Sequence, residues 1–387
     1  MRVMLFTDTL GDVNGVARFI RNAAGCALAQ GAELTVVTST QFKVPEAGNI
    51  INYRPHAAWP MPKYPNLEIV VPPRGRMLRA AREFGPDVIH VSTPGPVGLV
   101  GRVAARRLGV PLVGVYHTDF PAYVERLFGD EGLTRVTQEV MRWFYRPFEV
   151  VLARSHAYAM GMEWLKARRL ETFRPGIVLE DFGPQHRDEG ALRELGSEAG
   201  AVRALFVGRV SVEKNTPLLE RAWLEALPEL QSRGVKAELV IVGDGPDLAR
   251  LRESLAGRSV KFAGFRHGAD LARLYASCDV LVFPSVTDTL GQVVLEAQAS
   301  GLPVMVTDVG GPSEVMRDGV SGVVVAPDAR AWAAGLVEIL SNHARRREMG
   351  RAALADAQGY SFRHSFDAWW GVHAEAMRKR GLRQPPK

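Results

Sequence analysis

The sequence predicts an α/β protein built from two doubly wound parallel-sheet domains. The chain has 387 residues, which is too long for one typical domain and suits two. In both halves, short apolar runs of strand length alternate with amphipathic segments of helix length. Proline and glycine cluster near residue 180, as expected where two domains join. These three observations together favour two repeats of the strand, loop and helix pattern over any all-helical or all-strand fold.

The first half opens with an apolar run at Arg2–Thr7, which predicts a buried strand. A loop rich in Gly, Asn and Asp follows and contains Gly15; a helix is predicted from about Val16 to Gln30, and a second strand at Leu34–Thr38. This order is a βαβ unit. The loop lacks the Gly-x-Gly-x-x-Gly spacing of a dinucleotide site, which argues against an NAD-dependent oxidoreductase.

Two further strands are predicted at Val88–Val91 and Leu112–Tyr116. His117 directly follows the second strand, together with Thr118 and Asp119. Ligands of doubly wound sheets bind beyond the carboxyl ends of the strands, so His117 is a candidate site residue. His90 lies inside a strand and is expected to pack in the core. Between residues 41 and 73, seven prolines predict an irregular segment.

The segment Thr134–Phe148 has the spacing of an amphipathic helix. Its apolar positions are Val136, Val140, Trp143, Phe144 and Phe148. The usual interpretation is a helix with these side chains facing the core; the alternative is a surface helix that contacts anionic lipid. A strand at Val150–Ala153 and a helix at 157–166 complete this half.

In the second half, a strand at Ala204–Val207 precedes a glycine-led loop that contains Arg209 and Lys214. A helix is predicted to start near Thr216. Two cations at a strand-to-helix turn can neutralise a diphosphate group. A later strand is predicted at Val260–Phe265, and residues 319–325 are expected to form a small hairpin.

The stretch after the apolar run Val280–Pro284, which predicts a buried strand, carries the strongest chemical signal of the chain. Asp288 precedes a helix predicted at Leu290–Ser300, and Glu296 lies about two turns into it. The N-terminus of such a helix has N–H groups and a positive dipole end that suit a phosphate. Carboxylates beside a phosphate site are suitable partners for sugar hydroxyls.

These motifs resemble those of the retaining glycosyltransferases of family 4, which have the two-domain GT-B architecture. The family carries Glu-x7-Glu where this chain has Asp288 and Glu296, and a Gly-Arg and Lys-Asn segment where this chain has Arg209 and Lys214. The resemblance covers nearly the whole chain and is strongest from about 200 to 325. It is closest to bacterial GDP-mannose-dependent α-mannosyltransferases, and also extends to enzymes that transfer sugars from UDP donors to diacylglycerol.

The resemblance implies a role for each matching residue. Glu296 would hold the nucleotide ribose, Asp288 would face the donor sugar with one methylene less than the family's Glu, and His117 would contact the same sugar. The remaining donor-binding positions implied by the family are Gly15, Arg209, Lys214, Phe265, Leu290, Gly291 and Gln292. The family also implies two sheets facing each other across a cleft, with an acceptor-side domain at 1–180, a nucleotide-sugar domain at 181–360 and a final helix at 361–387 that crosses back.

The expected function is therefore transfer of a hexose, with mannose from GDP-mannose favoured, to a lipid-linked or sugar acceptor. The sequence contains no Asp-x-Asp motif, so neither a metal ion nor another cofactor is expected. A UDP-sugar transferase acting on diacylglycerol-type lipid and a nucleotide-sugar epimerase remain open as alternatives, as does a non-catalytic sugar-nucleotide-binding module.

Charge and composition bear on partners and location. The net charge is +6, but residues 1–175 hold 22 Lys and Arg against 15 Asp and Glu, a balance of +7. This basic half predicts an anionic partner such as a membrane surface or a lipid acceptor, and no motif of a nucleic-acid module is present. Cys26 and Cys278 lack metal-ligand spacing and are expected to be reduced. A cytoplasmic protein, with peripheral attachment to the inner face of the membrane as an option, is expected; the oligomeric state stays open.

Overall fold

The computed structural model describes residues 1–11, 15–61, 64–117, 120–121, 124–125, 129–154, 159–174, 176–288 and 290–383. Parts of the predicted glycine loop (12–14), Thr118, Asp119, Thr289 and the start of the helix expected at 157–166 lie outside these residues. The chain divides into two compact units: unit 1 comprises residues 1–175 and 365–387, and unit 2 comprises residues 176–364.

Unit 1 is organised around a seven-stranded parallel sheet. In chain order its strands are β1 (Arg2–Phe6), β2 (Glu33–Thr38), β3 (Ile50–Asn52), β6 (Val88–Val91), β7 (Leu112–Tyr116), β8 (Val150–Ala153) and β9 (Leu170–Thr172). Their order across the sheet is β3-β2-β1-β6-β7-β8-β9, so the winding direction reverses between β1 and β6. All neighbours pair in parallel, which confirms the predicted sheet type.

Unit 2 repeats this arrangement with six strands. They are β10 (Val202–Val207), β11 (Ala237–Val242), β12 (Val260–Gly264), β13 (Val280–Phe283), β14 (Val304–Thr307) and β15 (Gly322–Val325). The order β12-β11-β10-β13-β14-β15 places the reversal between β10 and β13. The carboxyl ends of these two strands therefore form the crevice where ligands of doubly wound sheets bind.

Helices flank each sheet, and the apolar runs of the strands are buried between them. In unit 1 the α-helices are Gly15–Gln30, Arg74–Phe84, Pro96–Leu108 and Glu131–Tyr145. In unit 2 they are Glu189–Arg193, Thr216–Ser232, Leu248–Ser254, Gly268–Ser277, Gln292–Ala299, Ala329–Ser341 and His343–Ala357. The final helix, Phe362–Arg383, belongs to unit 1 from residue 365 onward. No described helix has both the length and the apolarity that a membrane crossing requires.

The proline-rich segment is more regular than predicted. It contains β3 and an antiparallel hairpin of β4 (Ala57–Met61) and β5 (Tyr64–Val71), which form a separate two-stranded sheet. Pro60 sits within the paired part of β4, opposite Glu68. A two-stranded sheet consists only of edge strands, where one N–H group of each residue pair can point away from the ladder and proline is tolerated.

One other expectation is wrong and a second holds only in part. Residues 322–325 are not part of a hairpin but form β15, a parallel edge strand paired with β14. In the helix Glu131–Tyr145, Met141, Phe144 and Tyr145 are buried, whereas Val136, Val140 and Trp143 are exposed by 59%, 48% and 57%. The helix thus packs on the sheet through a narrower face than its apolar pattern predicts.

Within unit 1, a buried histidine pair connects the final helix to β6. His373 Nδ1 donates to the Trp369 carbonyl at 2.7 Å, which leaves its Nε2 as the acceptor for His90 Nδ1 at 2.9 Å. Both rings are fully buried, as predicted for His90, and Trp369 packs edge-on against them. Burial lowers the pKa of His373 to about 4 and that of His90 well below 6.5.

Acid is expected to destabilise this contact. Because the folded pKa of His373 lies below its unfolded value near 6.5, only the unfolded chain takes up a proton at first, so stability falls as pH drops below 6.5 and levels off near pH 4. At pH 5, the free energy of unfolding is expected to be about 2 kcal/mol lower because of His373. Urea unfolding of parent and His373→Gln at pH 7 and pH 5 measures it, because glutamine retains an acceptor for His90 but does not titrate. If the free energy of unfolding falls equally in the two proteins between pH 7 and pH 5, His373 is not the group responsible.

Candidate active site

Lys214 and Asp288 form an ion pair at the point where the sheet of unit 2 reverses. Lys214 Nζ lies 2.8 Å from each carboxylate oxygen of Asp288, although the two residues are 74 positions apart in the chain. Lys214 follows β10 and Asp288 follows β13, the two adjacent strands at the reversal. Both side chains remain just over one-fifth exposed, so the pair is accessible to a ligand.

Hydrogen bonds between the two loops hold this pair in place. Thr287 Oγ1 donates to the Glu213 carbonyl at 3.0 Å, and Asn215 Nδ2 donates to the Pro284 carbonyl at 3.2 Å. Asn215 has a φ of 57°, a left-handed conformation that Asn tolerates better than most residues. Both neighbours of Lys214 are therefore bonded to the segment that carries Asp288, which fixes the separation of the two charges.

The helix Gln292–Ala299 begins directly beside the ion pair. Gly291 precedes it with a φ of 69°, and a Cβ at this position would lie 2.9 Å from Pro312. The Gly311 N–H donates to the Asp288 carbonyl at 2.9 Å, so the glycine turn after β14 packs against the Asp288 loop. A side chain at position 291 would be strained and crowded. Glycine at this position therefore allows the helix to start close to Asp288.

Glu296 is held inside unit 2 by a tyrosine. Its side chain is only 1% exposed, and Tyr275 Oη donates to Glu296 Oε2 at 2.9 Å. Tyr275 lies on the helix Gly268–Ser277 and is itself fully buried, with Phe182 packed edge-on against its ring. A buried carboxylate oriented by a fixed hydroxyl presents its remaining oxygen in one direction.

Removal of this hydroxyl tests the arrangement. Tyr275→Phe is expected to weaken the binding of nucleoside diphosphates, the ligands predicted for this site, roughly tenfold, because Glu296 loses a charge-assisted hydrogen bond that orients it. Calorimetric titration of the parent and the variant with nucleoside diphosphates measures the change. Tyr145→Phe is the matched control, since Tyr145 donates to the Val115 carbonyl within unit 1. Equal donor affinity in the parent and Tyr275→Phe would show that Glu296 needs no orientation.

The other predicted residues of unit 2 occupy the same edge of the sheet. Arg209 follows β10, its side chain is 45% exposed, and its guanidinium nitrogen lies 3.7 Å from a carboxylate oxygen of Glu213. Phe265 follows β12, is 51% exposed and stacks on His267 with ring centroids 5.8 Å apart. Gln292 opens the helix and is half-buried. Leu290 is 2% exposed, so its side chain belongs to the core.

Two predicted residues belong to unit 1. His117 follows β7, and its Nε2 lies 3.0 Å from Ser92 Oγ, while Nδ1 has no hydrogen-bond partner among the described residues. Burial and the nearby Arg154 guanidinium hold the pKa of His117 well below 6.5, so the ring is neutral at pH 7 and can exchange hydrogen bonds with hydroxyl groups. Gly15 opens the helix Gly15–Gln30.

Sequence reasoning overlooked the residues that hold the site together. Tyr275 has the pattern of an ordinary core position in an amphipathic helix, and nothing in its sequence neighbourhood connects it to Glu296. Thr287, directly before Asp288, bonds to the loop of Lys214. Polar side chains in the loops that follow apolar strands, such as Asn215 and Thr287, are the signal that would have identified the hydrogen bonds between the two loops.

Comparison with known proteins places the chain among glycosyltransferases. The model described as "Glycosyltransferase Family 4" matches residues 13–181, and the model described as "Glycosyl transferases group 1" matches residues 201–342. A GDP-mannose-dependent α-mannosyltransferase of Mycolicibacterium smegmatis is 33% identical over 390 residues, covering 99% of this chain and 100% of the relative. A sulfoquinovosyl transferase of Arabidopsis thaliana is 30% identical over 377 residues, covering 94% of this chain and 71% of the relative.

The fold has solved counterparts. Sucrose-phosphate synthase from Thermosynechococcus elongatus superposes with a TM-score of 0.79 at 20% identity, covering 98% of this chain and 100% of that chain. At this identity the likeness concerns the fold, and the sequence relatives decide the family. The two parallel-sheet units, the matched family models and the full-length relatives agree, and the chain therefore belongs to glycosyltransferase family 4 and has the GT-B fold.

Proposed function

We propose that this glycosyltransferase moves a hexose from a nucleotide sugar to a lipid-linked or sugar acceptor with retention at the anomeric carbon, and that GDP-mannose is the preferred donor. The observation that carries the proposal is the Lys214–Asp288 pair at the strand reversal of unit 2. It combines a fixed cation for a phosphate with an acid for a sugar hydroxyl. The 33% identity to a GDP-mannose-dependent α-mannosyltransferase over the full chain supports the choice of donor.

The residues of unit 2 suit the successive parts of a nucleotide sugar. Lys214, Arg209 and the first-turn N–H groups of the helix after Gly291 take the diphosphate. Phe265 follows β12, two strands from β10, so its exposed ring lies roughly 10 Å along the edge, where a base can stack on it. Glu296 takes the ribose hydroxyls, and Asp288 takes a hydroxyl of the sugar.

In the transfer step, the bond between the anomeric carbon and the diphosphate oxygen breaks, and the acceptor oxygen bonds to the same face of that carbon. The departing phosphate oxygen accepts the acceptor's proton. Lys214 and Arg209 stabilise the charge that develops on the diphosphate. Neutral His117 donates a hydrogen bond to a sugar hydroxyl. This front-face course requires no carboxylate nucleophile, and none of the site residues is assigned that role.

A panel of labelled nucleotide sugars tests the proposal. We expect GDP-mannose to bind and turn over best when a lipid-linked or sugar acceptor is present. UDP sugars with a diacylglycerol acceptor, the alternative that the sequence resemblance leaves open, are the second donor class to include. A sugar epimerised without any acceptor would identify an epimerase, and tight binding without turnover on every acceptor would identify a binding module.

Metal independence follows from the same assignment. Because Lys214 and Arg209 neutralise the leaving group, transfer is expected to proceed at an unchanged rate in EDTA. Initial rates with and without the chelator measure this. Activity that disappears in EDTA and returns with Mn²⁺ or Mg²⁺ would show that a divalent ion supplies the charge instead.

A further inference from the structure

The helix Glu131–Tyr145 has a second apolar face that no described part of the protein covers. Leu133, Val136, Val140 and Trp143 are exposed by 42%, 59%, 48% and 57%. Their spacing of three, four and three residues places them in one row along the helix. We call these four residues the apolar row. The row adjoins the buried Met141, Phe144 and Tyr145, but its own four side chains are exposed, so burial in the core does not account for them.

Arginines of a neighbouring helix border the apolar row. The Arg102 guanidinium lies over the Trp143 ring, 4.0 Å from its centroid. Arg106, one turn further along the helix Pro96–Leu108, is exposed on the same side, and so is Leu99 one turn earlier. The acids on the row's own helix already have cationic partners, since Glu131 pairs with Arg135 and Glu139 with Arg142. The uncompensated charge beside the row is therefore positive.

Charge also distinguishes the two units as a whole. Residues 365–387 add five Lys and Arg and two Asp and Glu to the +7 of residues 1–175, so unit 1 carries +10 and unit 2 carries −4. A second copy of the chain seated on the row would bring two strongly basic surfaces together, because a symmetric interface uses the same patch on both partners. An anionic lipid surface has the opposite charge and accepts apolar side chains.

We propose that the apolar row and its flanking arginines dock unit 1 on an anionic lipid bilayer. Val136, Val140 and Trp143 insert among the headgroups while Arg102 and Arg106 contact lipid phosphates, the arrangement expected of an interfacial amphipathic helix. This inference deepens the proposed function, because it places the enzyme where a lipid-linked acceptor resides. Lipid binding is measured without donor or acceptor, so its failure and a failure of the transferase assignment are separate results.

The test compares charge-matched variants in vesicle sedimentation at low salt. Val136→Glu with Val140→Glu alters the row, and Leu28→Glu with Met160→Glu makes the same chemical change at two other exposed apolar positions of unit 1, exposed by 52% and 67%. Vesicles contain either phosphatidylcholine alone or phosphatidylcholine with phosphatidylglycerol. We expect parent and control to sediment with the anionic vesicles only, and the row variant to bind them at least roughly tenfold more weakly. Circular dichroism verifies that all three proteins are folded.

A fluorophore at the row gives a local readout. An environment-sensitive label on Val140→Cys, in a Cys26→Ser background, is expected to shift to the blue with anionic vesicles, whereas a label on Met160→Cys is not. Parent protein that stays in the supernatant with both kinds of vesicle overturns the proposal. Equal loss of binding in the row variant and the control overturns the assigned surface. A parental dimer that the row variant abolishes would identify a second copy as the occupant.

Discussion

Lys214→Ala is expected to lower the rate of sugar transfer by roughly two to three orders of magnitude, the effect of removing one group that stabilises transition-state charge. Lys214 is positioned by loop contacts at both of its neighbours, Glu213 and Asn215, so its charge needs little reorganisation when the diphosphate departs. Donor affinity is expected to fall as well, by roughly 1.5–3 kcal/mol, because a charge-assisted contact to the phosphates is lost.

Two further variants make this result specific. Lys214→Arg retains the positive charge and is expected to recover part of the rate. Arg233→Ala removes a cation from an exposed ion pair with Glu229 elsewhere in unit 2 and is expected to leave the rate unchanged. Initial rates at saturating and limiting donor separate the effect on transfer from that on binding. A Lys214→Ala protein with parental rate and parental donor affinity would remove Lys214 from the site.

Asp288→Asn is expected to change binding and transfer in opposite directions. In the ligand-free protein the Asp288 carboxylate neutralises Lys214 and would also repel an incoming phosphate. Its replacement by a neutral amide frees the lysine, so nucleoside diphosphates are expected to bind about three- to tenfold more tightly. Sugar transfer is expected to fall roughly 10- to 100-fold, because the sugar hydroxyl loses its charged acceptor.

The opposite signs distinguish this role from a structural one. A variant that merely distorts the site loses binding and rate together. Calorimetric titration with GDP and with UDP, beside initial rates, measures both quantities. Asp356→Asn is the matched control, since it neutralises the partner of Arg317 in another ion pair of unit 2. If Asp288→Asn binds diphosphates more weakly than the parent, the Asp288 carboxylate does not compete with phosphate for Lys214.

Local pattern predicted the strands well, because each parallel strand is a short apolar run buried on both faces. Val88–Val91, Leu112–Tyr116 and Val150–Ala153 were predicted with the bounds that the structure has. The proline-rich hairpin was missed because proline was taken to exclude regular structure, which holds inside a sheet but not at its edges. The exposed apolar row was missed because a periodic pattern shows that a helix has an apolar face but not how much of that face its neighbours cover.

The sequence by itself determined the class of fold, the family and the residues that follow the strands, since these depend on order and spacing along the chain. Only the tertiary structure decided which of those residues meet: Lys214 with Asp288, Glu296 with Tyr275, and His90 with His373. Each pair joins residues far apart in the chain, and strand order across the sheet and helix packing bring them together. The same holds for Asp8, whose carboxylate accepts from the Val97 N–H at 2.7 Å and so caps a helix that begins almost ninety residues later. Strand order and packing arise from the burial of whole faces, so no single stretch of sequence encodes them.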